Sequence, residues 1–162
     1  MSIVSEFLSA NQRYASIFTK GALPLPPARK VSVVACMDAR LDPARVLGLE
    51  EGDAHVIRNA GGRAEDAIRS LVISQQLLGT REIVLIHHTD CGMLTFTDAD
   101  LRRKLEKDLG QSTDRAFLAF RDLDQSVRDD VSAIRRERLL LKDVPVSGFV
   151  YDVRTGRLRQ VV

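Results

Sequence analysis

The sequence predicts an α/β fold in which helices flank a mainly parallel sheet that ends in an antiparallel C-terminal edge strand. Short β-rich runs alternate with segments of helical periodicity, as they do in parallel α/β domains. The run Glu82–His88 is apolar at its centre, which is typical of a strand buried on both faces. Ranges 146–153 and 157–162, joined by Arg154-Thr155-Gly156, have the pattern of a β-hairpin.

The first predicted element is an N-terminal helix over about residues 2–18. It is followed by Leu23-Pro24-Leu25-Pro26-Pro27, which must be extended because proline fixes its own φ and restricts the residue before it. Residues 1–22 are too few to form a core of their own. We therefore expect this helix to pack on the main domain or on a second subunit.

The remaining elements follow in a regular order. The apolar residues of range 64–78 recur at helical spacing, and Gly79 stands where a C-terminal cap would. In chain order, the sequence predicts a strand at 31–35, a strand at 54–58, a helix at 64–78, a strand at 82–88, helices at 98–109 and 114–141, and the closing hairpin.

Length and composition indicate one globular domain, residues 1–162, with 44% apolar and 28% charged residues. The net charge is +2 with both signs interspersed, so we expect no nucleic-acid partner. No apolar run approaches the roughly 20 residues of a membrane helix, and residues 1–20 read as amphipathic rather than as a secretory signal. We expect a cytoplasmic protein that does not associate with membranes.

Three polar motifs begin where predicted strands end. They are ACMDAR at 35–40, RNAGG at 58–62 and HHTDCG at 87–92. Ligands of open α/β sheets bind at the carboxyl ends of the strands, so the three motifs are expected to share one crevice.

Cys36, His88 and Cys91 are candidate metal ligands in that crevice. Two thiolates and an imidazole are donors that zinc prefers, and a structural disulfide is not expected in a cytoplasmic protein. His55 and His87 fall within predicted strands, so no convincing fourth cysteine or histidine remains. Three protein ligands with an open position indicate a catalytic Zn²⁺ site. The alternative is that the cysteines and His88 are ordinary buried core residues.

Asp38 and Arg40 fall on the same side of an extended strand end as Cys36. Asp38 could accept a hydrogen bond from metal-bound water, or bind zinc itself as a conditional fourth ligand. Arg40 could hold that carboxylate off the metal through a bidentate pair. Gly61 and Gly62 are candidates for close backbone approach to a substrate, although a tight turn explains them equally well.

Taken together, CMDAR at 36–40, RNAGG at 58–62 and HTDCG at 88–92 resemble the β-class carbonic anhydrases, in particular their short prokaryotic branch. The resemblance spans essentially the whole chain. It implies a mixed five-stranded sheet, one Zn²⁺ per chain and reversible hydration of carbon dioxide to bicarbonate. It also implies a homodimer or dimer of dimers in which the N-terminal helix lies across the partner subunit.

The resemblance also assigns roles to single residues. The family's zinc ligands correspond to Cys36, His88 and Cys91, and its Asp–Arg dyad corresponds to Asp38 and Arg40. Its substrate-facing backbone amide would fall near Gly62.

Three alternatives remain open from the sequence. Relatives on the same scaffold hydrolyse carbon disulfide or carbonyl sulfide with the same three ligands. In a non-catalytic zinc protein, Asp38 would close the site and the metal would only stabilise the fold. In a redox sensor, Cys36 and Cys91 would form a disulfide after metal loss.

Overall fold

The computed structural model describes residues 2–162, so Met1 of the expected N-terminal segment lies outside the described residues. Its sheet has the strand order β2-β1-β3-β4-β5, with the first four strands parallel and β5 antiparallel to β4. This confirms the predicted fold class. The five strands are β1 Val31–Cys36, β2 Ala54–Asn59, β3 Glu82–His88, β4 Val146–Tyr151 and β5 Leu158–Gln160.

Five α-helices accompany the sheet. They are α1 Ile3–Ser16, α2 Pro43–Leu47, α3 Ala64–Gln76, α4 Asp98–Leu109 and α5 Leu123–Arg136. The bounds of α4 match the prediction, since Thr97 and Asp100 form a capping box at its start and the left-handed Gly110 ends it. Among residues 2–162, no helix has both the length and the apolar character needed to cross a membrane.

The predicted helix over 114–141 is wrong at both ends. The helix begins at Leu123, behind the side chain of Asp122, which accepts a hydrogen bond from the Gln125 backbone N–H. It ends at Arg136, because Glu137 already has extended backbone angles.

The segment before α5 is not helical because side chains of α4 bind its backbone. The Asp98 carboxylate accepts hydrogen bonds from the backbone N–H groups of residues 117–119. Arg102 donates to the carbonyl oxygens of Asp114 and Arg115. These contacts take the place of helical hydrogen bonds.

The short helix α2 was not predicted. Its signals are nevertheless local: the Asp42 side chain caps the Ala44 N–H, Pro43 occupies the first turn, and Gly48 ends the helix in a left-handed conformation.

Two apolar clusters cover the two faces of the sheet. Alternate strand residues contribute to each, so that Val34 and Leu85 belong to one cluster and Val33 and Ile86 to the other. Helices α3 and α5 cover the first face. The second face is covered partly by residues 91–96, so the segment that carries one of the predicted ligands packs directly on the sheet.

Helix α1 buries none of its side chains. Beyond its C-terminal end, Lys20 pairs with Glu50 and Glu51, and the Tyr14 hydroxyl also donates to Glu51. The helix therefore presents its apolar side chains to solvent in a single copy of the chain.

Candidate metal centre

The three predicted ligands come together at the carboxyl ends of the two strands β1 and β3. Cys36 is the last residue of β1, His88 is the last of β3, and Cys91 follows three residues later. The parallel register pairs Ala35 with Ile86, which brings both strand ends to the same edge of the sheet. Cys36 is far from His88 and Cys91 in the sequence, and the pairing of β1 with β3 brings it close to them.

The donor atoms of Cys36, His88 and Cys91 all lie within 4.8 Å of one another, and all three residues are buried. Within residues 2–162, this is the one group of three or more histidine, cysteine or acidic side chains arranged to hold a metal ion.

The His88 ring is oriented as a ligand. Its Nδ1 lies 2.9 Å from the carbonyl oxygen of Thr89, which can only accept, so Nδ1 carries the proton. Its Nε2 therefore has a free lone pair. This atom is buried and has no hydrogen-bond partner within residues 2–162, which is costly unless it coordinates a metal.

The pKa values of the two thiols are shifted in opposite directions by their contact with each other. A hydrogen bond from the Cys91 thiol and others from the backbone N–H groups of Asp38 and Gly61 lower the pKa of Cys36 to about 4. The pKa of Cys91 is raised because its thiol donates to Cys36 and because it is buried. One thiolate is thus favoured at neutral pH, and a bound cation would favour the second.

These observations fit zinc. Two sulfur donors and one imidazole nitrogen form a donor set that Zn²⁺ prefers over hard cations such as Mg²⁺ or Ca²⁺. If these three residues held Zn²⁺, the ion would keep one position open for a small molecule.

Asp38 and Arg40 form a paired carboxylate and guanidinium beside the ligands. Arg40 donates from Nε to Asp38 Oδ1 at 2.9 Å and from Nη2 to Oδ2 at 2.8 Å. Asp38 Oδ2 lies 3.7 Å from His88 Nε2, the orphaned ligand atom. The Arg40 guanidinium holds the pKa of Asp38 well below its usual range, so this carboxylate is ionised at physiological pH.

Arg58 fixes the loop that carries Asp38 and Arg40. Its Nε donates to the carbonyl oxygen of Cys36 at 3.0 Å, and its Nη2 donates to those of Asp38 and Leu41, both at 2.8 Å. Sequence reasoning included Arg58 in a motif but gave it no role. Its position near the end of β2, the strand beside β1, could have indicated a contact with the loop after β1.

A cavity of about 420 Å³ opens beside the cluster, lined by Cys36, Asp38, Gly61 and Cys91 together with apolar side chains. These apolar residues, which the sequence did not single out, include Met37, Met93 and Phe96. The cavity lining thus combines an ionised carboxylate and the ligand sulfurs with a mostly apolar surface.

Gly61 and Gly62 differ in their surroundings. Gly61 lines the cavity, whereas Gly62 packs against β1, where an added Cβ would lie 2.8 Å from the Cys36 backbone nitrogen. Both have positive φ, 83° and 68°, which favours glycine. Their role in substrate binding stays a prediction.

The other two histidines are hydrogen-bonded away from the cluster. His55 Nδ1 lies 2.7 Å from the Ser74 hydroxyl. His87 is fully buried, and its Nδ1 lies 2.8 Å from the Ser126 hydroxyl while its Nε2 lies 3.2 Å from the Gly62 carbonyl oxygen.

Comparisons with known proteins point to one family. The profile of the carbonic anhydrase family matches residues 31–158. The chain is 49% identical over 162 residues to Beta-carbonic anhydrase 1 of Mycobacterium tuberculosis, with 99% of each covered. It superposes on the crystal structure of carbonic anhydrase from Streptococcus mutans with a TM-score of 0.95 at 49% identity, covering 100% of this chain and 99% of that one.

A carbon disulfide hydrolase of Acidianus is a more distant relative. It is 35% identical over 187 residues, which cover 98% of this chain and 90% of the hydrolase.

Proposed function

The chain belongs to the β-class carbonic anhydrases and interconverts carbon dioxide and bicarbonate, and we propose that it does so with one zinc ion held by Cys36, His88 and Cys91. The observation that carries this proposal is the buried, unpartnered Nε2 of His88 within 4.8 Å of both sulfurs. A zinc ion bound there would act as a Lewis acid that brings the pKa of a water molecule toward neutrality.

Asp38 orients the nucleophile in this proposal. Its ionised carboxylate accepts a hydrogen bond from the attacking hydroxyl group and so directs a lone pair toward the carbon of carbon dioxide. Arg40 holds both carboxylate oxygens, so Asp38 stays beside the ligands without joining them. Arg58 fixes the conformation of the loop that carries Asp38 and Arg40 by donating to the carbonyl oxygens of Cys36, Asp38 and Leu41.

The apolar side of the cavity suits the substrate. Carbon dioxide has no net dipole and loses little hydration when it enters a space lined by Met37, Met93 and Phe96. Bicarbonate is charged and well hydrated, so the same surface favours its release to water.

The experiment that tests this function measures carbon dioxide hydration between about pH 6 and pH 9, with zinc content determined on the same sample. We expect about one zinc per chain and activity that rises with pH. Because Arg40 lowers the pKa of Asp38, that carboxylate is ionised throughout this range. The rise would therefore report ionisation of the attacking water and not of Asp38.

Because some relatives are carbon disulfide hydrolases, turnover of carbon disulfide and carbonyl sulfide should be measured alongside that of carbon dioxide. Faster turnover of either sulfur substrate would contradict carbon dioxide as the main substrate. A fully zinc-loaded chain without activity on any of the three would instead favour a non-catalytic zinc protein.

We further propose that two copies of the chain associate through α1, as a dimer or a dimer of dimers. Ile3, Val4, Phe7 and Leu8 form one apolar stripe at helical spacing, and Phe7 and Leu8 are 63% and 61% exposed. A stripe of this kind needs a partner surface, and α1 buries nothing on its own chain. This supports a second copy as the partner.

The variant Phe7→Asp/Leu8→Asp tests this association, because two charges in a buried apolar contact carry a large desolvation cost. We expect the mass measured by light scattering after size exclusion to fall to that of one chain. Leu109→Asp is the matched control, since Leu109 is 64% exposed on α4. An unchanged mass in the double variant would contradict the role of α1.

A reducing compartment such as the cytoplasm suits this site. Both cysteines are free thiols, and both must remain reduced to bind a metal.

A further inference from the structure

Asp90 lies between two of the metal ligands and has an unusual backbone conformation. It follows His88 by two residues and precedes Cys91, and its φ is 55°, in the left-handed region that aspartate tolerates better than most residues. Its side chain is 67% exposed, so it adds little to the core.

This conformation brings two oxygens of Asp90 to Arg40. Arg40 Nη1 donates to Asp90 Oδ2 at 2.7 Å, and Arg40 Nη2 donates to the Asp90 carbonyl oxygen at 3.0 Å. The remaining contacts of the same guanidinium are those to Asp38. Arg40 thus bridges the loop after β1 and the loop after β3.

Arg40 needs such an anchor. Its side chain is 47% exposed, and an exposed ion pair alone gains little because ordering a long side chain costs conformational entropy. A second acidic partner that binds another part of the guanidinium restricts its rotation. The Nε and Nη2 donors are then held toward Asp38.

We propose that Asp90 is a positioning residue that fixes Arg40 and, through it, keeps the Asp38 carboxylate in its catalytic orientation. The proposal rests on the proposed function, because Asp38 acts on the nucleophile of that reaction.

The test is Asp90→Gly, which removes the carboxylate while leaving a residue that adopts positive φ freely. We expect kcat for carbon dioxide hydration to fall about three- to tenfold with KM unchanged, which corresponds to the loss of one partly exposed charge-assisted hydrogen bond. Asp90→Asn, which keeps an oxygen acceptor, should retain kcat within about twofold. Zinc content and melting temperature should match the wild type in both.

Repeating the Asp90→Gly change in the Arg40→Lys variant separates a positioning role of Asp90 from a purely structural one. Lysine cannot bridge two carboxylates as the guanidinium does, so in Arg40→Lys the added Asp90→Gly change should alter kcat by less than about twofold. Equal losses in both backgrounds, or full kcat in Asp90→Gly, would overturn the assignment. A zinc-loaded wild type without hydration activity would overturn the proposed function and the assignment with it.

Discussion

We expect Arg40→Ala to lower carbon dioxide hydration by about 100-fold or more while one zinc ion per chain stays bound. Arg40 is the side chain that binds both oxygens of Asp38, whose Oδ2 is only 3.7 Å from His88 Nε2. Without the guanidinium, the carboxylate is free to take the fourth ligand position, because oxygen donors of this kind bind zinc readily. The metal would then be held by four protein ligands and closed to water.

The measurement is steady-state hydration together with metal analysis of the same preparation. Arg45→Ala is the matched control, since Arg45 is an exposed arginine of the adjacent helix α2 and, within residues 2–162, its one salt bridge is to Asp42. The control should remain within about twofold of wild type, as most surface substitutions do. Full activity of Arg40→Ala would refute the role given to Arg40, and loss of zinc from this variant would show a ligand-supporting role instead.

The second large effect is expected from His88→Gln. A neutral amide oxygen is a poor zinc donor compared with imidazole, and only two sulfur ligands remain. We expect zinc content after dialysis to fall at least about tenfold and hydration to fall with it. Glutamine is close in size to histidine, which limits the cavity left at this fully buried position.

His55→Gln applies the same substitution to a histidine outside the site, where it contacts Ser74. It should keep its zinc and its activity. Circular dichroism of both variants separates loss of metal from loss of fold. If His88→Gln retained full zinc after dialysis, the ligand set would have to be revised.

The part of this site that the sequence predicts is the part that is local. Cys36, Asp38 and Arg40 lie within five residues, and His88 and Cys91 within four, so each motif could be read at a strand end. Their meeting follows from the general rule that parallel strands bring their carboxyl ends together. The structure confirms this juxtaposition.

The features that the sequence did not predict depend on contacts between distant segments. Arg58 donates to carbonyl oxygens of residues about 20 positions away, and the residues around Arg58 do not predict these contacts. The predicted helix over 114–141 failed for the same reason, since Asp98 and Arg102 of another helix hold its first third in a non-helical form. Helical propensity is a weak prior where side chains from elsewhere bind the backbone.

The strand order has a consequence for how fast different parts of the site can move. Two of the ligands, Cys36 and His88, are the last residues of β1 and β3, which pair with each other and are each flanked by a further strand on the other side. The backbones of Cys36 and His88 are held by pairing inside the sheet, with Asn59 of β2 and Tyr151 of β4, so moving them apart requires breaking sheet hydrogen bonds. Arg40 and Asp90 lie in the loops beyond these strands and are partly exposed, so their contacts open at a lower free-energy cost than the sheet does. Amide hydrogen exchange should therefore find the slowest-exchanging protons in β1 and β3.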